Sequence, residues 1–309
     1  TDFQLAISSG SLEELETMKK EIEGLRDTIF GDLRGEKQYL SLMNKINSEI
    51  QPQLEQRSVY DALNRAFAEK RRIPAGEISG KQEAYVNQWF AMQEEEIRAR
   101  GEEAKLQVPL DKSAQLAIDI NTMEEIANLH TSLGYVPESV HATFRQNIRS
   151  LSEGDEESTE NLFNFLTTQR DLYGDNWNVM LTQLKEKGTI SGTLAAAARL
   201  MDETDRGAAY KLIQAEAMGG ENLKNSVSRR GHKPSDVSVA VGPAMAAFDE
   251  TNQGQYTPDL YANINAVETL AMMYTADGAT PTEAAERAAE EIFHKHYEYF
   301  STVRMPVGV

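Results

Sequence analysis

Two Glu-x-x-His pairs, Glu138-x-x-His141 and Glu291-x-x-His294, have the spacing that puts a carboxylate and an imidazole on one helix face. Carboxylate-bridged di-iron bundles use this pair on two helices and add a Glu from each of two others, so the chemistry to weigh is a helical metal-dependent oxidoreductase. With 34 Glu and five His in 309 residues, about half a match arises by chance. No further ligand can be named, and the expectation is a chain with no metal and no cofactor.

Other reactive patterns fail on inspection. Gly76-Glu77-Ile78-Ser79-Gly80-Lys81-Gln82 is superficially a phosphate loop, but three residues separate its glycines instead of four. Gln82 also stands where a magnesium-binding Ser or Thr belongs, so a turn between helices is expected. Glu138-Ser139 matches the Glu-Ser pair of lytic transglycosylases without the Gly-Leu-Met-Gln that should follow. Nucleophile elbow, zinc helix, calcium loop and dinucleotide fingerprint are all missing from the sequence. A general acid cannot be singled out among 49 Asp and Glu, and no catalytic residue is assigned.

The composition narrows the classes further. Zero Cys removes disulfide scaffolds, thiolate zinc sites and cysteine nucleophiles. A net charge of −18 opposes gripping of phosphate backbones. The surplus is spread along the chain, 18 basic against 25 acidic residues over 1–150 and 13 against 24 over 151–309. The longest uncharged apolar run, Val237 to Phe248, is too short for a membrane span, which needs about 20 residues. Thr1 in place of Met, and a final Met305-Pro306-Val307-Gly308-Val309 that looks like a strand just beginning, suggest a piece of a longer polypeptide.

The elements that would position any site are helical. Apolar residues recur near every 3.6 positions, punctuated by caps, and predict an all-α protein of roughly a dozen helices joined by short turns. Ser11 to Glu14 fits a capping box, Pro52 is expected to separate two helices, and Gly101 to stop the helix carrying Tyr85, Trp89 and Phe90. Asp111 or Ser113 should open a helix that runs past Met123, Ile126 and Leu129 to Gly134; Pro137 should open the next. Helix ends are expected at Gly174, Gly188 and Gly219, and starts at Thr257-Pro258 and Thr280-Pro281-Thr282-Glu283. Strand competes with helix only at Val237 to Val241. The acidic segment Ser152 to Ser158 reads as a linker dividing region 1–150 from region 151–309.

Two apolar faces are candidate interaction surfaces. Leu15, Ile22, Leu25 and Ile29 form part of a narrow seam on the first helix, and Phe293, Tyr297 and Phe300 fall at helical spacings of 4 and 3. Either face could equally be internal core.

In the last third of the chain, three stretches carry a resemblance. They are Leu194-Ala195-Ala196-Ala197-Ala198-Arg199-Leu200-Met201-Asp202, the helix ending Ala217-Met218-Gly219-Gly220, and Leu270 through Gly278-Ala279-Thr280-Pro281 to Ala289. Together with the exit from Phe300 toward Val309, this texture resembles the internal virion (DNA-ejection) proteins of short-tailed bacteriophages over roughly residues 191–309. The resemblance implies a non-enzymatic virion component, held in the capsid and delivered to the host envelope. It also implies assembly with itself and with portal or other internal proteins, and DNA met only by passage. It transfers no active-site residue. A cytosolic helical adaptor binding partner helices is the alternative, and the metal-dependent oxidoreductase a third.

Overall fold

A computed structural model describes residues 12–26, 33–73, 78, 80, 82–201, 207–251, 264–300 and 303–306. The protein is all-α, a multi-helix array. The chain divides into two compact units, Thr1–Ala99 and Arg100–Val309, with the division falling inside one helix.

The first unit holds α1 (Leu12–Gly24), α2 (Leu33–Ala68) and most of α3 (Glu83–Leu106). Leu15 and Ile22 of α1 pack with Met43, Ile46 and Ile50 of α2, each set at the 3 and 4 spacing that keeps one face inward. Arg26 closes this hairpin by pairing with Glu36 at 3.2 Å and lying over the Tyr39 ring. Farther along, Trp89 of α3 donates from Nε1 to Asn64 Oδ1 at 3.0 Å and meets the Phe67 ring edge-on. The two helices expected around Pro52 are one, α2. Ser48 and Pro52 are both exposed, so water can reach the carbonyl that the missing proline N–H leaves without a donor.

The second unit holds the end of α3, then α4 (Lys112–Leu133), α5 (Glu138–Arg149), α6 (Glu156–Tyr173), a 3₁₀ turn at Gly174–Asn176 and α7 (Trp177–Glu186). It continues with α8 (Gly192–Leu200), α9 (Gly207–Arg229), α10 (Pro234–Thr251), α11 (Ile264–Asp277) and α12 (Pro281–His296). At its heart is α8, with Leu194, Ala195 to Ala198 and Leu200 buried, touching α6, α7, α9, α11 and α12. Four small side chains in a row let several helices approach one short axis closely. The carbonyls left over at the end of α8 find side-chain donors: Trp177 Nε1 to Ala198 O at 3.1 Å and Arg170 Nη1 to Met201 O at 2.6 Å.

Local signals for caps hold. The Asp111 carboxylate accepts from the amides of Ser113 and Ala114, and Gly134 (φ 63°) closes α4, its N–H donating to Thr131 O and the Tyr135 N–H to His130 O. This paired pattern, the Schellman motif, recurs at Gly278 and Ala279, which accounts for the similar Gly-x-x-Pro turns before α5 and α12. Thr280 and Glu283 form a reciprocal capping box. The hydroxyl and backbone amide of Thr280 hold the Glu283 carboxyl below its usual pKa. Gly219 (φ 72°, ψ 153°) breaks α9 where a helix end was expected.

Elsewhere tertiary contacts override the local signal. Gly101 lies inside α3, because a Cβ there would stand 2.5 Å from Thr122 Oγ1 of α4; it is a point of close approach, not a stop. Val237 and Val241 are buried one turn apart in α10, so their β-branching yields to helical packing. The segment 152–158 lies within the second unit as a turn over 152–155 running into the first residues of α6, where Ser158 Oγ accepts from the Ser152 amide and Glu153 accepts from Asn222 at 2.7 Å. The 150/151 boundary expected from its acidity therefore falls inside that unit.

At the C-terminal end α12 stops at His296, and Tyr297–Phe300 pairs antiparallel with Val303–Pro306 as strands β1 and β2. The expected helical face of Phe293, Tyr297 and Phe300 is corrected here: only Phe293 is helical. Aromatic Tyr297, Tyr299 and Phe300 favour a pleated strand once a partner such as Val303-Arg304-Met305 is in register. Ser11, the Ile73–Gln82 turn apart from residues 73, 78, 80 and 82, and the start at Thr257-Pro258 lie outside the described residues.

Candidate interaction surface

Of the two Glu-x-x-His pairs, Glu138, His141 and Glu291 have partners of their own, and the His294 side chain lies outside the described set. His141 is buried and its Nδ1 lies 2.6 Å from Thr189 Oγ1, while Glu138 pairs outward with Arg145. Glu291 accepts from Tyr274 OH at 2.6 Å and Arg287 Nε at 2.9 Å, with the Arg287 guanidinium stacked over the Tyr274 ring. Among the described residues no three His, Asp or Glu converge as a metal site.

Of the first seam, Leu15 and Ile22 are core between α1 and α2, Leu25 is exposed, and Ile29 lies outside the described residues. The seam's spacing marked an apolar face, and the partner turns out to be the next helix of the same chain. The side chains of Phe293, Tyr297 and Phe300 lie outside the described set.

A surface not singled out from sequence lies on the hairpin of α3 and α4. Within the second unit the two helices are joined at Gly101 and Thr122 and by ion pairs Arg100–Glu125 (2.5 Å) and Lys105–Asp119 (2.5 Å). The hydrogen bonds that Lys105 donates, to Asp119 first and to Glu102 second, raise its pKa. Asp119, Thr122 and Glu125 thus mark the side of α4 that faces α3, and Gln115 bonds the connecting turn at Pro109 O. Roughly a quarter turn away, Leu116, Ile120 and Met123 share a face and are all exposed. The same face continues into buried Ala127, which joins the core beside α6. At the hairpin's end Leu106 is 78% and Leu110 96% exposed. Met123 is on this uncovered stripe because the core begins one turn later.

Elsewhere in this unit the described residues form two roomier concavities, besides a small one of about 20 Å³ beside His130 and Tyr173. A cleft of about 360 Å³ lies at the break in α9, lined among others by Glu216, Gly219, Lys224, Asn265 and Glu268. Burial pushes the Glu216 carboxyl above its ordinary pKa, partly offset by a 2.9 Å hydrogen bond from Ser191, the N-cap of α8. A groove of about 520 Å³ runs between α10 and α12, floored by Ala240 and Ala244 and walled by Asp236, Val239, Pro243, Ala247, Pro281, Thr282 and Glu286. Among the described residues no helix is long and apolar enough to cross a membrane.

Comparison with protein-family models, curated proteins and solved structures finds no match to this chain.

Proposed function

We propose that this chain is a non-enzymatic structural component that works by assembling with copies of itself. In line with the resemblance of residues 191–309, its assembly is that of an internal virion protein of a short-tailed bacteriophage, which helps form a conduit for DNA into the host and contacts portal or other internal proteins. The supporting observation is the exposed stripe Leu116, Ile120 and Met123 with Leu106 and Leu110 at the hairpin's end. Five large apolar side chains exposed at one hairpin are more than the scattered single ones that need no explanation. Two such surfaces facing one another would take these side chains out of water. The net charge of −18 supports a wall that DNA slides past without sticking.

Multi-angle light scattering and electron micrographs of the purified protein test this. Closed rings or a multi-subunit mass are expected, dispersed by L116K/I120K. A monomer at tens of micromolar in both proteins would overturn the proposal.

A second reading, an adaptor that takes a partner helix, is favoured by the α10/α12 groove, whose apolar floor and helical walls have the form used for helix-in-groove recognition.

A further inference from the structure

We propose that the groove between α10 and α12 binds a basic amphipathic helix of another protein. The inference rests on the helix-in-groove reading and names the partner's chemistry.

The walls define what fits. Asp236, Val239, Ala240, Pro243, Ala244 and Ala247 share one face of α10, spanning about 16 Å at the α-helical rise, three turns of a docked helix. Ala240 and Ala244 on the floor leave room for larger side chains, and Val239 stands 73% exposed at the edge. Pro243, which also lines the groove, has no N–H and so cannot give the Val239 carbonyl its usual helical donor.

The two charged side chains in the walls, Asp236 and Glu286, are both carboxylates, and Glu290 follows Glu286 one turn on. Neither Asp236 nor Glu286 has an ion-pair or side-chain hydrogen-bond partner among the described residues. Nearby acids differ in this respect, since Glu283 caps α12 and Glu291 binds Arg287. An apolar trough edged by unneutralised carboxylates selects apolar residues at i, i+3 or i+4, and i+7, flanked by Lys or Arg. A second copy of this chain brings the same surplus of acid and is disfavoured at this face.

The test uses the full chain and two labelled 18-residue helical peptides. One carries leucines at that spacing flanked by lysines, the other has glutamine in place of each lysine. Fluorescence anisotropy at 150 mM salt should give saturable binding of the basic peptide, with the neutral peptide at least tenfold weaker. D236N/E286Q should weaken the basic peptide about tenfold and leave the neutral one unchanged. A247W, at an exposed position where the fold tolerates bulk, should block both peptides. Equal binding of the two peptides, blocked by A247W, would overturn the basic-partner assignment and keep the groove reading. Binding indifferent to A247W, or no binding of either peptide, would overturn both. A concentration-dependent dimer abolished by A247W would also overturn the assignment, making a second copy the occupant.

Discussion

Replacing Gly101 by Ala tests whether α3 and α4 approach as closely as described. In an unhindered helix interior the change stabilises by about 1 kcal/mol, through propensity alone. Here the new Cβ would stand 2.5 Å from Thr122 Oγ1, whose hydroxyl is held by Ile118 O at 2.7 Å. Relief requires turning Thr122 off that bond or spreading the helices, and overpacking of this kind costs about 1–3 kcal/mol. The expected net effect of G101A is a loss of about 0–2 kcal/mol. Thr122→Ala removes the obstacle; alone it trades a weak back-bond for better propensity and should be neutral within about 0.5 kcal/mol. The double variant should then exceed the wild type by about 1 kcal/mol, a coupling of about 1–3 kcal/mol across the pair. Urea unfolding followed by Trp177 fluorescence in a W89F background reads the second unit separately, since the chain has two Trp, one in each unit. A coupling below about 0.3 kcal/mol, with G101A itself stabilising, would refute the close approach and with it the geometry that presents the Leu116 stripe.

Other outcomes follow from single residues. Gln183 clamps the α4–α5 turn by accepting from the Val136 amide (3.0 Å) and donating to Gly134 O (2.9 Å), so Q183A should cost about 1–2 kcal/mol in urea unfolding. Glu94 is buried and paired with Arg98 at 3.0 Å; because Arg98 is largely exposed and screened, R98A should cost about 1 kcal/mol, measured by Trp89 fluorescence. Glu216 has a folded pKa above its unfolded one, so its contribution is fully present below the unfolded carboxylate value and is lost as pH rises through the folded value. E216Q should accordingly flatten the decline of stability across that window, seen as melting temperature against pH; an unchanged slope would contradict the burial assigned to it.

What the sequence made legible was local. The Asp111 cap, the Gly134 end and the Thr280–Glu283 box depend on neighbours within five residues, and each forms as its residue types dictate. Gly101 carries the same residue-level signal as Gly134, yet its role is set by Thr122 on another helix, and nothing near it in sequence says so. The periodicity of Leu15 and Ile22 identified a buried face correctly but could not distinguish α2 from a second subunit as its cover. Met123 shows the converse: its helical spacing is that of a core residue, and it is exposed because the core covers α4 only from Ala127 onward.

The two uncovered surfaces differ in charge, and that difference separates what each can bind. Beside the Leu116 stripe, Arg100 pairs with Glu125 and Lys105 is shared by Asp119 and Glu102, so two cations offset all but one of three carboxylates and an acidic copy meets less local repulsion there. At the α10/α12 groove Asp236 and Glu286 have no ion-pair partner among the described residues, and a like-charged copy is disfavoured there. Added salt, which shortens the screening length from about 10 Å at 0.1 M to about 3 Å at 1 M, must therefore act in opposite senses. Raising salt should leave intact or strengthen self-association through the apolar stripe, because it screens the overall −18. It should weaken capture of a basic helix by the groove several-fold. Light scattering and peptide anisotropy on the same salt series give both slopes, and two slopes of the same sign would mean that the surfaces do not have these separate roles.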